Sequence, residues 1–391
     1  MAQHLTARAM LEKLVAFPTV SRDSNLALID FVAAYLNALG VECHRVPSAD
    51  GRKANLYAMI GPAVAGGVVL SGHTDVVPVD GQAWTRDPWT LVEEEGKLYG
   101  RGAVDMKGFV ALALSAIPQM QTAGLTRPIQ IALSYDEEVG HLGVGDMIAE
   151  MQAHLPPASA VFVGEPTMMQ VVTQHKGGLG LRTHVRGYEV HSSRVHVGVS
   201  AITYAARLIS WHAERLAENL AAAAALGADA PGALFDPPCT TLHNGMVNGG
   251  TAGNITAKDC KFVSDIRVLP TEDPETWLAR YRTHCASLAQ EMQAIHPDTG
   301  IDIHAPFNAP GLRQEASGTA EALARQLTGD NAPHAVSYGT EAGNFQRAGY
   351  SVCVIGPGSI HQAHQPDEYI TNAQLAAGEA FLGRLIARLS D

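Results

Sequence analysis

Three apolar runs of strand length in this chain end in residues that carry charge or bind metals. GGVVLSGH finishes on His73, PIQIALSYD on Asp136 and SAVFVGE on Glu165. A buried strand has no use for such an ending unless the ends meet at a polar site. A fourth run, NLYAMIG, precedes them. Helical periodicity covers the first fifteen residues, then SNLALIDFVAAYLNALG, which closes on Gly40, and DMKGFVALALSAIPQM. Strands alternating with helices predict an α/β fold, with a mostly parallel sheet flanked by helices. In such open sheets, ligands gather beyond the carboxyl ends of the strands.

The pattern changes near HKGGLGLRTHVRG. Alternating apolar positions there and in CKFVSDIRVLP read as half-exposed antiparallel strands, separated by the long helix AITYAARLISWHAERLAENL. The order strand, helix, strand, strand, helix, strand predicts an inserted α+β domain over residues 179–308. Residues 1–178 and 309–391 then form the larger domain, which resumes in SVCVIGP and the final helix NAQLAAGEAFLGRLIARL. A chain of 391 residues exceeds what one hydrophobic core usually supports, which favours two domains.

A net charge of −12 argues against nucleic acid or an anionic membrane as partner. The N-terminal stretch has no continuous apolar segment and reads as a helix, not a signal peptide. No run reaches the ~18 apolar residues of a membrane span. The five cysteines are scattered and never form C-x-x-C, which favours reduced thiols in a cytoplasmic protein.

In SGHTDVVP, His73 and Asp75 point the same way on an extended segment, their α-carbons about 6.5 Å apart. The carboxylate is then in reach of the imidazole. Asp105 stands in the glycine-rich GRGAVDMKG before a helix, Glu137 and Glu138 sit side by side in SYDEEVG, and Glu165 is held in VGEPT. HQAHQPDEY contributes His361 and His364. Singly, each has a plain reading: a helix N-cap, a solvated acidic pair, a loop residue, an exposed histidine. Taken together, two histidines and several carboxylates form a mixed N/O donor set that suits Zn²⁺, Co²⁺ or Mn²⁺. One aspartate can bridge two ions about 3.5–4 Å apart, and a carboxylate beside a ligand can serve as base. The absence of H-E-x-x-H and of G-x-S-x-G argues against a thermolysin-like or serine-hydrolase site.

These five stretches, in order and spacing, resemble the co-catalytic zinc aminoacylase and carboxypeptidase family. FPTVSRDSN, GQAWTRDPW, GGTAGNI and YGTEAGNFQRAG extend the resemblance over nearly the whole chain. It implies that His73, Asp105 and Glu165 hold one divalent ion, and Asp105, Glu138 and His364 the other. The ions would be Zn²⁺, with Co²⁺ as the alternative. It further implies that Asp75 bonds the far nitrogen of His73 and that Glu137 is the general base. The inserted domain would serve as lid and dimer interface, with His191 of GYEVHSS reaching the partner's site. Asn254 and Arg267 are candidates for the substrate's α-carboxylate and acyl oxygen, and Glu341 for a cationic tail. Arg267 reads equally as part of a surface ion pair. The implied reaction is hydrolysis of a small N-acyl amino acid in a cytoplasmic homodimer, N2-acetyl-L-ornithine first, on the way to arginine. Acetylcitrulline, a general N-acyl amino acid and succinyl-diaminopimelate are the alternatives; a silent amino-acid-binding scaffold would not need Glu137.

The chain departs from the family's usual residues at Ala103–Val104, at His141 where a cysteine is frequent, and at His361. It departs again at Thr256–Ala257 and Glu189–Val190. None is an implied ligand, so these departures bear on the substrate and the lid.

Overall fold

The computed structural model describes residues 4–391. The chain divides into two compact units: one runs to Gln174 and takes in Leu312–His334 and Thr340–Asp391, the other comprises His175–Gly311 and Ala335–Gly339. The expected first helix is found at Ala7–Val15, with the Thr6 hydroxyl accepting from the Ala9 amide at its start; what the sequence suggests for residues 1–3 lies outside the described residues.

An eight-stranded sheet orders its strands as Cys43–Pro47, Ala54–Ile60, Ile129–Ser134, Gly67–His73, Ala158–Val163, Val352–Val354, Val172–His175 and His334–Val336. Its centre is parallel: Gly67–His73 lies between Ile129–Ser134 and Ala158–Val163, and Val352–Val354 extends the run. Cys43–Pro47, Ala54–Ile60 and Val172–His175 pair antiparallel at the flanks. Every residue of Gly67–His73 and of Ile129–Ser134 is buried. Burial on both faces explains why these strands read as unbroken apolar runs. Leu56, Leu70, Ile131 and Phe162 join Leu11, Val32, Phe109 and Leu385 in one apolar core.

The second unit runs strand, helix, strand, strand, helix, strand: Gly177–Arg186, Ala201–Leu226, Thr241–Gly249, Asp259–Val268, Pro274–Ile295 and Gly300–Ala309. Its four strands form one antiparallel sheet with Thr241–Gly249 at an edge. Residues of Asp259–Val268 alternate between exposed and buried at its start, as a strand with one covered face must. Leu181, Phe262 and Ile266 meet Leu208, Trp211 and Tyr281 in a core of this unit's own.

Candidate metal centre

Register in the parallel sheet brings the charged strand ends to one edge. His73 is the last residue of its strand and pairs with Ser134, so the chain carrying Glu137 and Glu138 leaves the sheet beside it. On the other side Ser71 pairs with Val163, which places Glu165 two residues past the next strand. Gly164 permits that exit, because a Cβ built there would lie 2.0 Å from the Phe109 ring. Asp105 ends the loop that feeds the helix Lys107–Ser115.

His73 is wholly buried. Its Nδ1 donates to the backbone carbonyl of Asp75 at 2.9 Å, while Nε2 faces Asp105 Oδ1 at 3.1 Å and Glu165 Oε1 at 3.6 Å. A carbonyl can only accept, so the hydrogen on Nδ1 leaves the Nε2 lone pair directed at the carboxylates, where a cation ligand belongs. His364 Nε2 lies 3.2 Å from Asp105 Oδ2 and 3.0 Å from Glu138 Oε2. Asp105 therefore turns one oxygen to each histidine. Donor atoms of His73, Glu137 and Glu165 fall within 4.8 Å of one another, as do those of His73, Asp105 and Glu138.

The electrostatics fit a cation. Burial, then the charge of Asp105, pushes Glu138 up to about 8 and Glu165 well above the carboxylate range. Burial also works against the charge on Asp105, but its contacts with the His364 and His73 imidazoles hold it well below its ordinary value. Bonds to Asp105 and Glu138 raise His364 to about 10. Glu138 Oε1 is buried without a hydrogen-bond partner among the described residues. Crowded carboxylates, an orphaned oxygen and two imidazoles make a donor set short of positive charge, which divalent ions supply.

The carboxylate of Asp75 does something other than the sequence suggested. Its Oδ1 stands 3.7 Å from His73 Nδ1, too far for a hydrogen bond. It accepts instead from the amides of Glu137 and Glu138, at 3.2 and 3.4 Å, and from the Ser21 hydroxyl at 2.6 Å. The strand ends at His73, so the alternation that would aim Asp75 at the imidazole stops there. Asp75 orients His73 through its backbone and the Glu137–Glu138 loop through its side chain.

Glu341 stands at the start of the helix Ala342–Arg347. It is 1% exposed, with Oε2 accepting from Ser71 Oγ at 3.3 Å, and burial raises it to about 7. In the second unit, exposed His191 takes a hydrogen bond from the Ser193 amide, and Asn254 lies on the adjoining segment, its carbonyl accepting from the Ser192 amide. Arg267 pairs with Asp265 on its own strand at 2.9 Å, the ion pair its sequence context allowed. His361 is exposed.

Sequence reasoning missed the clamp behind the ligands. Arg101 and Glu368, each 1% exposed, form an ion pair at 2.6 Å. Glu368 Oε1 accepts from the amides of Val104 and Asp105 at 3.0 and 3.1 Å. Arg101 also bonds Gln82, whose Nε2 donates to the His364 carbonyl at 2.8 Å. One buried pair thus fixes the loop of Asp105 and, through Gln82, the loop of His364. A charged residue in each of GRG and PDEY was the only available signal, and charge alone does not announce burial. Left-handed backbone at Asp136, His141 and His364, with φ of 59°, 58° and 62°, concentrates strain around the same centre.

The model of the family described as Peptidase family M20/M25/M40 matches residues 69–388. An acetylornithine deacetylase of Myxococcus xanthus is 37% identical over 97% of this chain and 96% of its own length. One of Proteus mirabilis (strain HI4320) is 36% identical over 96% and 95%. Among solved structures, an M20 family metallo-carboxypeptidase of Sulfolobus solfataricus superimposes with a TM-score of 0.73 at 20% identity, covering 98% of this chain and 99% of the other.

Proposed function

We propose, from the premise that the chain belongs to peptidase family M20/M25/M40 and is a metal-dependent hydrolase, that it removes the acetyl group of N2-acetyl-L-ornithine to give L-ornithine and acetate. The observation that carries the chemistry is Asp105 dividing its two oxygens between His73 and His364, with Glu137 beside them. Full-length similarity to acetylornithine deacetylases supports the substrate.

In this reading His73, Asp105 and Glu165 hold one divalent ion and Asp105, Glu138 and His364 the other, Zn²⁺ first and Co²⁺ as the alternative. When bound, such ions acidify a water and polarise the acyl carbonyl. Glu137 takes the water's proton and passes it to the leaving amine. Its amide, bonded to Asp75, keeps the carboxylate at the site's edge. Asn254 and Arg267 bind the substrate's carboxylate and acyl oxygen, and the partner subunit's His191 steadies the negative charge that develops on that oxygen. The second unit, taken as residues 179–308, then serves as lid and dimer interface. Support for a homodimer comes from the sheet edge Thr241–Gly249, where Met246 and Val247 are 71% and 64% exposed on a strand paired along one side only. The five unpaired cysteines agree with a cytoplasmic enzyme serving arginine synthesis, and no helix among the described residues is long and apolar enough to cross a membrane.

A parallel assay of acetylornithine, acetylcitrulline, acetylmethionine and succinyl-diaminopimelate tests the substrate. The highest kcat/KM belongs to acetylornithine; a preference for any other sinks the assignment and leaves the hydrolase class standing.

A further inference from the structure

We infer that His141 is a positioning residue for Glu137: its ring, anchored at one nitrogen by Asn344, holds one oxygen of that carboxylate so that the other is presented to the reacting water. This deepens the reading of Glu137 as the base and rests on it.

His141 is 9% exposed and lies four residues past Glu137. Its Nε2 stands 3.1 Å from Glu137 Oε1, and its Nδ1 3.2 Å from Asn344 Oδ1. The carboxylate oxygen can only accept, so Nε2 carries the hydrogen and donates it whichever way the Asn344 amide is turned. The turn between the two residues is closed by its own backbone. The amides of Gly140 and His141 donate to the Glu137 carbonyl at 2.9 and 3.0 Å, and Leu142 donates to Asp136 at 3.1 Å. His141 adopts the left-handed region at φ 58°, which folds the ring back over Glu137. Asn344 belongs to a different part of the unit, the helix Ala342–Arg347. The ring is therefore tethered at both nitrogens, one to the base and one to a separate element. Neither contact involves an implied metal ligand.

The consequence is chemical. A glutamate in a loop has three side-chain torsions, and a base works only when its oxygen stays within hydrogen-bond reach of the proton it takes. Fixing Oε1 commits Oε2 to that task. His141 itself exchanges no proton with substrate.

The test compares His141→Ala, His141→Gln and Glu137→Gln, alone and with His141→Ala added to Glu137→Gln, in the metal-loaded enzyme with N2-acetyl-L-ornithine. His141→Ala is expected to lower kcat by roughly 10–100-fold, part of what a general base contributes, with KM and bound metal per chain within about twofold of wild type. His141→Gln, which keeps an amide donor, recovers at least about tenfold of a large loss. In the Glu137→Gln background His141→Ala costs nothing further, because the two act as a unit. Wild-type kcat in His141→Ala overturns the inference. So does a kcat loss that tracks lost metal and that His141→Gln does not restore. If His141→Ala fails to fold, Asn344→Ala frees the far nitrogen, and wild-type kcat in that variant overturns the inference equally. Wild-type turnover in Glu137→Gln overturns the underlying base assignment instead, so the two failures are told apart.

Discussion

Replacing Glu368 with alanine removes one half of a buried ion pair and the acceptor of two backbone amides at once. Arg101, 1% exposed, keeps its charge but loses the carboxylate 2.6 Å away. Removing one partner of a buried pair costs about 3–5 kcal/mol, because the other charge stays buried and uncompensated. The amides of Val104 and Asp105 lose Glu368 Oε1 as well; each orphaned amide adds about 1–3 kcal/mol where water does not reach it. Part of the second cost overlaps the first, so a total of about 4–6 kcal/mol is expected, a large share of the ~5–15 kcal/mol of a whole fold. The assay is urea unfolding of chelator-treated protein, so that metal binding adds nothing to the measured stability. The double variant Arg101→Met, Glu368→Gln discriminates the causes. It removes both charges but keeps a carbonyl oxygen for the two amides, and it should recover more than half the loss. A Glu368→Ala cost below about 1 kcal/mol refutes the clamp, and a double variant as unstable as Glu368→Ala refutes its electrostatic basis.

Gly164→Ala forces a methyl to within 2.0 Å of the Phe109 ring; the strand end or the helix must yield, at about 1–3 kcal/mol, and bound metal per chain falls as Glu165 is displaced. Wild-type stability and metal content in that variant contradict the close approach. His212 is 1% exposed, and burial lowers it to about 4 from its ordinary 6.5. The unfolded chain therefore binds the proton first, and stability is lost as pH falls from 6.5 towards 4, by up to about 3 kcal/mol. Unfolding followed by tryptophan fluorescence at pH 7 and 4.5 should show that drop, and His212→Gln should reduce it; an equal drop in both assigns the acid sensitivity elsewhere. Met246→Lys and Val247→Lys together should convert the expected homodimer to monomer in light scattering without changing the thermal midpoint by more than a few degrees. A dimer that survives both charges places its interface on another surface.

The central strands and the ligand cluster were legible because one physical condition produces both signals. A strand buried on two faces reads as an apolar run, so an imidazole or carboxylate at its end stands out. What followed from register alone was also legible, since parallel strands of similar length bring their ends to one edge. The partner of the Asp75 carboxylate was not legible. It depends on the strand stopping at His73 and on the Glu137–Glu138 amides arriving from a neighbouring loop. His141 was visible as an unusual residue, but its contact with Glu137 requires a left-handed turn that the residue type does not announce. Arg101 and Glu368 are 267 positions apart, a separation no local pattern spans. That Glu341 is buried and accepts from Ser71, 270 positions away, was equally beyond any local pattern.

The measurement that tests the central claim most directly is a titration of chelator-treated protein with Zn²⁺, following acetate release from N2-acetyl-L-ornithine and bound metal together. Turnover should be absent at the start and reach its plateau at about two ions per chain, the count that a bridging Asp105 implies. Turnover by the metal-free protein at the loaded rate, or a plateau without bound metal, contradicts the account.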